Sequence, residues 1–343
     1  MEYKGRYEYF DPGRIITYPV EERSNKVKLE DLLAPDQVKH MSFNFPEDVE
    51  QNLNLLAKEI VAAREKQRPV VLFTGAHLVK NGLSPLIGDL LKRGFFTLIS
   101  GNAATSIHDF ELGLMGETSE YVPQALEKGQ FGMAYEFNYI NAALIVGNRS
   151  SFGYGEAIGS LICVEAFRKK VTEFLQLEPG SINFKYPELS LQALCYELKV
   201  PMTIHAGIGT DVIDQHAWFD GESKGGCSGR DFLIYANEIA KLNHGGVILN
   251  IGSAVTGPEV FLKAASMAAN IGHVPHKIVT ANFDLRPYNP QSFNNENAVG
   301  YYYRDQKSIV TRVPEAYGGK GFYLCGNQKQ TLPFLYKKLL EIN

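Results

Sequence analysis

Short apolar runs recur along the chain, each ending in glycine or small polar residues and followed by apolar positions at helical spacing. The first run, 69–75 (PVVLFTG), leads through AHLVKNG into SPLIGDLLKRG, and the second, 95–102 (FFTLISGN), leads into ATSIHDFELGLMG. The third, 200–209 (VPMTIHAGIG), precedes a loop to about Gly229 and then RDFLIYANEIAKLN. The fourth, 245–253 (GGVILNIGS), precedes a helical pattern from about Pro258 to Ile271, and the fifth is 276–284 (HKIVTANFD). A late run, 320–326 (KGFYLCG), comes before the terminal TLPFLYKKLLEI. Strand–helix alternation builds parallel sheets, and unbroken apolar runs such as VVLF and VILNI fit strands covered on both faces. The pattern predicts an α/β fold with a doubly wound, mainly parallel, Rossmann-like sheet.

Residues 1 to about 45 carry Pro12, Pro19, Pro35 and the aromatics Tyr3, Tyr7, Tyr9 and Phe10 amid mixed charge, so they predict an irregular arm lying across the body or a neighbouring subunit. EDVEQNLNLLAKEIVAAREKQ then predicts one amphipathic helix ending before Arg68-Pro69. Residues 117–199 are richer in helical pattern and read as an insertion. The expected division is an arm and helix over 1–66 and a Rossmann-like nucleotide-binding domain over 67–343.

A chain of 343 residues with 45% hydrophobic residues is long enough for a sizeable core. The net charge of -4 and pI near 6.1 argue against nucleic acid as a partner. Cys163, Cys195, Cys227 and Cys325 stand too far apart for a zinc knuckle or redox pair and read as reduced thiols. No run approaches the ~20 apolar residues needed to span a bilayer, and the N-terminus lacks an apolar leader core. A cytoplasmic protein, free of membrane and forming a homo-oligomer, is expected.

Ligands of doubly wound sheets settle outside the carboxyl ends of the strands. Here those ends concentrate unusual residues. The cofactor-binding candidates are Thr74, Gly75 and Ala76 after the first strand; Ser100, Gly101 and Asn102 after the second; Gly207, Gly209 and Thr210 after the third; Asn250, Gly252 and Ser253 after the fourth; and Asn282 and Asp284 at the fifth. Glycine lets backbone approach phosphate or ribose, and the next helix start offers unpaired N–H groups, which suits a dinucleotide. His205, His108, Asp109 and Asp211 are the candidates for proton transfer, because a histidine oriented by a carboxylate is a suitable acid/base. His205 is expected to face the site rather than the core, since a polar pair Thr203/His205 on one strand face suits a terminal position. Lys80 is a candidate for holding phosphate or a substrate carboxylate.

Gly153-Tyr154-Gly155-Glu156-Ala157-Ile158-Gly159 gives GxGxxxG, but the polar stretch 148–152 separates it from NAALIVG. A Rossmann fingerprint follows its strand directly, so this segment reads as a glycine-bearing helix start packed by another segment more readily than as a phosphate loop. His108, Asp109, His205, Asp211 and His216 lack tight ligand spacing, and no metal is expected. A serine-hydrolase elbow GxSxG is absent.

The segments VVLFTGAHLVKNGLSPLIGDLLKRGF, SGNAATSIHDFELGLMG and LCYELKVPMTIHAGIGTD resemble the NAD-binding domain of the lysine-oxoglutarate reductase/saccharopine dehydrogenase (LOR/SDH) conserved-region family, which includes the C-terminal part of certain ornithine cyclodeaminases. The resemblance covers roughly residues 68–285 and implies a Rossmann-like NAD-binding fold. The spacing from Asn102 to His108 is one residue longer than the family pattern, and the catalytic domain that precedes this region in the cyclodeaminases has no match in the sequence, so activity is not carried over. A more distant similarity is to deoxyhypusine synthase, through the strand beginning "VP", the TD-containing loop and GGVILNIGSAV; that family's catalytic lysine would fall near Thr256, which forms no imine. The resemblance implies NAD as cofactor and an enzyme acting on a small amino acid or amine by a redox-type or lyase step. The alternatives are a deoxyhypusine-synthase-like protein without that lysine, a non-catalytic nucleotide sensor and a metal-dependent hydrolase.

Overall fold

All six apolar runs become neighbouring strands of one sheet in the computed structural model, which describes residues 4–342; the first three residues of the arm lie outside the described residues. The strands are β1 (Asn25–Val27), β2 (Val70–Thr74), β3 (Leu98–Asn102), β4 (Thr118–Glu120), β5 (Met202–His205), β6 (Val247–Ile251), β7 (Val279–Asp284) and β8 (Lys320–Cys325). The helices are α1 (Glu47–Glu65), α2 (His77–Lys80), α3 (Ser84–Lys92), α4 (Ala103–Met115), α5 (Val122–Glu127), α6 (Phe137–Arg149), α7 (Tyr154–Cys163), α8 (Glu165–Phe174), α9 (Leu191–Leu198), α10 (Gly221–Ala240), α11 (Thr256–Asn270), α12 (Val313–Ala316) and α13 (Gln328–Ile342).

The sheet runs β5-β3-β2-β6-β7-β8 with every neighbouring pair parallel. Counted by appearance within the sheet this is the order 3-2-1-4-5-6 of a doubly wound dinucleotide-binding fold, and the order reverses between β2 and β6. The register sets Phe73 level with Ser100 and Asn250, and Thr74 level with Gly101 and Ile251. Side-chain alternation splits each strand between two cores. Val70 and Leu72 pack under α1, α3 and α4, while Val71 and Phe73 pack under α10 and α11. Burial on both faces is why these runs read as unbroken apolar sequence.

Between α4 and β5 the chain forms β4 and α5 to α9, and α9 docks on α7 and α3. The β7–β8 connection ends in a wide, π-type helical turn over Gln306–Arg312 that runs into α12.

The arm is tied down by backbone pairing. Tyr18 bridges to Ala134, and β1 pairs antiparallel with β4, Asn25 opposite Glu120 and Val27 opposite Thr118. A strand of three residues carries almost no periodicity, so the composition of the arm concealed it.

The glycine-bearing segment 153–159 opens α7. A Cβ on Gly155 would lie 1.8 Å from the Met202 carbonyl oxygen, and one on Gly153 would lie 2.0 Å from Asp231 Oδ1. These glycines let the helix start pack against β5 and α10. Buried Asp231 accepts from the Gly155 N–H (3.0 Å) and the Ile204 N–H (2.7 Å). Ser228 joins it, accepting from the Ala206 N–H and donating to the Ile204 carbonyl. The outward backbone groups of Ile204 and the outward N–H of Ala206 on the β5 edge are thereby satisfied, which hinders pairing of that part of the edge with another strand.

Candidate functional site

At the reversal of strand order the β2 and β6 loops touch. The Gly75 N–H donates to the Ile251 carbonyl at 2.9 Å, and a Cβ on Gly75 would stand 2.1 Å from the Gly252 oxygen. Gly75 is therefore a packing glycine, buried beneath the rim, whereas Gly252 is exposed with φ +69°. Cavities of about 230 Å³ and about 540 Å³ open to either side, with Lys80 of α2 lining the first and His77 lining the second.

His108 lines the smaller cavity. Its Nδ1 lies 2.7 Å from Thr118 Oγ1 and 3.1 Å from Glu111 Oε2, and the Thr118 hydroxyl donates to the same carboxylate oxygen. Glu111 is buried, and its other oxygen takes a hydrogen bond from Arg23 Nη2 at 2.5 Å. Burial alone would raise the Glu111 pKa, but Arg23, His108 and Thr118 outweigh it and hold the pKa at about 2. A fixed carboxylate beside Nδ1 favours the ring form that carries its proton on Nδ1 and donates it there. Across the cavity, Asp211 accepts from Lys224 Nζ at 2.8 Å, and Asp214 accepts from it at 2.5 Å. Lys224 is 1% exposed, so this triad anchors the exposed loop Gly207–Thr210; Asp214 also accepts from the Gly209 N–H at 2.7 Å.

A chain of polar groups runs beside the larger cavity. Asn250 Nδ2 donates to Asn282 Oδ1 (2.6 Å), Asn282 Nδ2 donates to Asp305 Oδ2 (3.1 Å), and Arg286 joins Asp305 to Asp284 (2.6 Å to the latter). Asp305 is buried, and among the described residues its Oδ1 has no hydrogen-bond partner.

Several sequence-derived candidates lie elsewhere than expected. His205 does not face the site. Its ring stacks on Phe73 with centroids 5.6 Å apart, meets Tyr235 and Phe232 edge-on, and finds one polar neighbour, Thr203 Oγ1 at 3.4 Å. It is 7% exposed, and burial pushes its pKa down to about 3. Alternation placed Thr203 and His205 on the α10 face, and α10 closes over them.

Asp109, expected to take part in proton transfer, is also buried away from the cavities. Its carboxylate, 0% exposed, accepts from Ser190 Oγ (2.6 Å), the Leu191 N–H (2.7 Å), the Gln192 N–H (3.1 Å) and Gln192 Nε2 (3.0 Å). It caps the start of α9 and has no access to ligand. Thr74, Ser100, Asn250 and Asn282 are likewise sealed beneath the rim. Gly101 is filled from α4, since a Cβ there would meet Thr105 Cβ at 2.9 Å. Asn102 accepts from the Thr105 N–H and caps α4, while Ser253 accepts from the Gly257 N–H in the first turn of α11. Ala76 is half-buried before α2. Gly207, Gly209, Thr210 and Gly252 remain exposed, His108 and Asp211 border the smaller cavity, and Asp284 borders the larger. His216 is turned away, its Nε2 2.8 Å from the Gly132 carbonyl. Among the described residues no three His, Cys, Asp or Glu side chains converge as a metal site, and no helix is long and apolar enough to cross a membrane.

In the sequence Glu111 stands out only as a polar residue soon after His108-Asp109, with no role attached, and Arg23, Lys224, Arg286 and Asp305 do not stand out. The i,i+3 spacing of His108 and Glu111 was a usable signal, because it puts both on one helical face and Asp109 on another. Arg23 gave none, since only the β1–β4 pairing brings it there.

No protein family matches the chain, and no curated protein does. Among solved structures it is similar to the apo form of ArgZ, an arginine dihydrolase from the ornithine–ammonia cycle in cyanobacteria, at 16% identity over 87% of this chain and 32% of that one, with TM-score 0.48. It is similar to AgrE in its ternary complex with ornithine and NAD+ at 13% identity over 88% of this chain and 34% of that one, with TM-score 0.48. A conserved putative LOR/SDH protein from Methanococcus maripaludis S2 aligns at 14% identity over 88% of this chain and 72% of that one, with TM-score 0.46. The chain spans about a third of the length of the first two.

Proposed function

We propose that the protein binds a dinucleotide, NAD, across the contact of the β2 and β6 loops and acts with it on a small amino acid or amine held beside His108. The observation that carries this reading is the pair of cavities flanking the reversal of strand order, the position at which doubly wound sheets bind dinucleotides. The sequence resemblance at the same strand ends implies the same cofactor.

The residues present fit such a group. Exposed Gly252 at φ +69° lets a ligand approach backbone, Lys80 offers a cation, and the unpartnered Asp305 Oδ1 beside Asp284 offers an acceptor for a hydroxyl. When bound, NAD supplies a hydride acceptor. The chain's own part is to hold the substrate in the smaller cavity, where Phe131, Phe137 and Val212 limit water and Lys80 faces a carboxylate. There His108 takes a proton at Nε2 while Glu111 and Arg23 fix its tautomer. Asp211, neutralised by Lys224, shapes the cavity wall.

Calorimetry with NAD, and mass spectrometry of ligand released from freshly purified protein, test the reading. Saturable binding that is weakened in Asp284→Ala, with turnover of an amino acid or amine lost in His108→Gln, is the expected result. Absence of NAD binding overturns it, and bound NAD that is never turned over with any amine leaves a nucleotide sensor.

A further inference from the structure

Asp231 of α10 is a buried acid that the proposed reaction does not use. It is 1% exposed, its Oδ2 accepts from the Gly155 N–H at 3.0 Å and the Ile204 N–H at 2.7 Å, and the Tyr154 N–H supplies a third hydrogen bond. Three such donors suit an ionised carboxylate, which offers about four acceptor positions, so one position stays open. No lysine, arginine or histidine among the described residues is close enough to balance its charge, and the charge of Glu156 opposes it. Burial, with a smaller push from Glu156, raises the Asp231 pKa to about 7, as befits an anion without a counter-charge.

A cavity of about 410 Å³ borders this carboxylate. Cys195, Tyr196, Val200, Pro201, Met202 and Ile234 give it largely apolar walls, and Tyr196 and Ile234 are exposed, so it communicates with solvent. Exposed Glu156 and Lys199 also border it. It lies at the start of β5, the end of the sheet opposite to the contact of the β2 and β6 loops, and it shares no lining residue with the two cavities there. A cation entering it meets Asp231 in low-dielectric surroundings, where the attraction is stronger than at the surface, and an apolar body attached to that cation leaves water for the cavity walls. An anion would instead meet two carboxylates, and a neutral ligand would leave Asp231 without a counter-charge.

We infer that this cavity binds a primary ammonium group carried on an apolar body, with the ammonium donating to Asp231 and the body packed against Val200, Met202 and Ile234. An amine and an apolar amino acid share that chemistry, and Lys199 offers a partner for the carboxylate of the second.

Calorimetry on the full chain without NAD tests the inference, with phenethylamine, phenylalanine, phenethyl alcohol and phenylacetate as probes. At least one of the two ammonium probes should bind saturably, and the tighter of them tells an amine from an amino acid as the source. The alcohol and phenylacetate should bind about 10-fold more weakly or worse, the scale of a lost hydrogen bond to a charged group. Ile234→Trp fills the cavity from an exposed position that makes none of the Asp231 hydrogen bonds and should abolish binding, whereas His108→Gln should leave it unchanged. Asp231→Asn should bring the amine and the alcohol to equal affinity; if that variant does not fold, Ile234→Trp and the comparison of probes on the wild type carry the test. Equal wild-type affinity for phenethylamine and phenethyl alcohol, no binding of either ammonium probe, or binding that is lost in His108→Gln and kept in Ile234→Trp overturns the inference. The last result would move the ammonium to the smaller cavity of the proposed reaction.

Discussion

Replacing His205 by phenylalanine separates a structural histidine from a catalytic one. In the folded chain His205 stacks on Phe73 against Tyr235, with burial lowering its pKa from 6.5 to about 3. A histidine with a depressed folded pKa contributes stability fully above pH 6.5, and loses it as the pH falls toward 3, because the unfolded chain binds the proton more readily. The slope in that window is about 1.36 kcal/mol per pH unit. Between pH 7.5 and pH 5 the linkage amounts to about 2 kcal/mol, and it stays near that value even for a folded pKa of about 4. Urea unfolding of wild type and His205→Phe at the two pH values measures it. Subtracting the variant's loss from that of the wild type cancels the other titrating groups. These include Asp231, whose pKa burial raises to about 7 and whose contribution therefore falls as pH rises from about 4 to 7. The expected double difference is about 2 kcal/mol, and His205→Leu provides a second variant if phenylalanine overpacks the site. A double difference below about 0.5 kcal/mol, or a folded variant that has lost about 10²–10⁴-fold in turnover, would refute the core assignment.

Asp109→Ala strips acceptors from Ser190, Leu191 and Gln192 and should cost about 2–4 kcal/mol by thermal or urea unfolding, with nucleotide affinity unchanged by calorimetry. Glu111→Gln leaves buried Arg23 without its counter-charge, for which about 3–5 kcal/mol of destabilisation is expected in denaturant titrations at pH 7. In the wild type that contribution is present above pH 4.5 and is lost as the pH falls through about 2, the sign for a depressed carboxylate. Gly101→Val should lower the unfolding midpoint, because its side chain meets Thr105 rather than a ligand; unchanged stability with abolished NAD binding would return Gly101 to the rim.

Wherever local pattern is decisive, the structure was legible in the chain itself. Unbroken apolar runs closed by glycine specified parallel strands, their alternation with amphipathic segments specified a doubly wound sheet, and the polar break before Gly153 marked α7 as a helix start rather than a phosphate loop. Strand ends gathered on one side for the same reason, so Gly207, Gly252 and Asp284 could be read as lying at one end of the sheet. Which of those residues see solvent was decided by helices far away in sequence. His205 looked like a terminal, cleft-facing residue until α10 covered it, and Asp109 looked like the partner of His108 until residues 190–192 arrived to take all its hydrogen bonds. The partner that His108 does have, Glu111, depends on Arg23 for its charge, and Arg23 is carried there by β1 pairing with β4, about 90 residues downstream in the chain. Periodicity records which face a residue lies on, whereas burial, charge pairing and access depend on what packs against that face, and that contact is set by the tertiary fold.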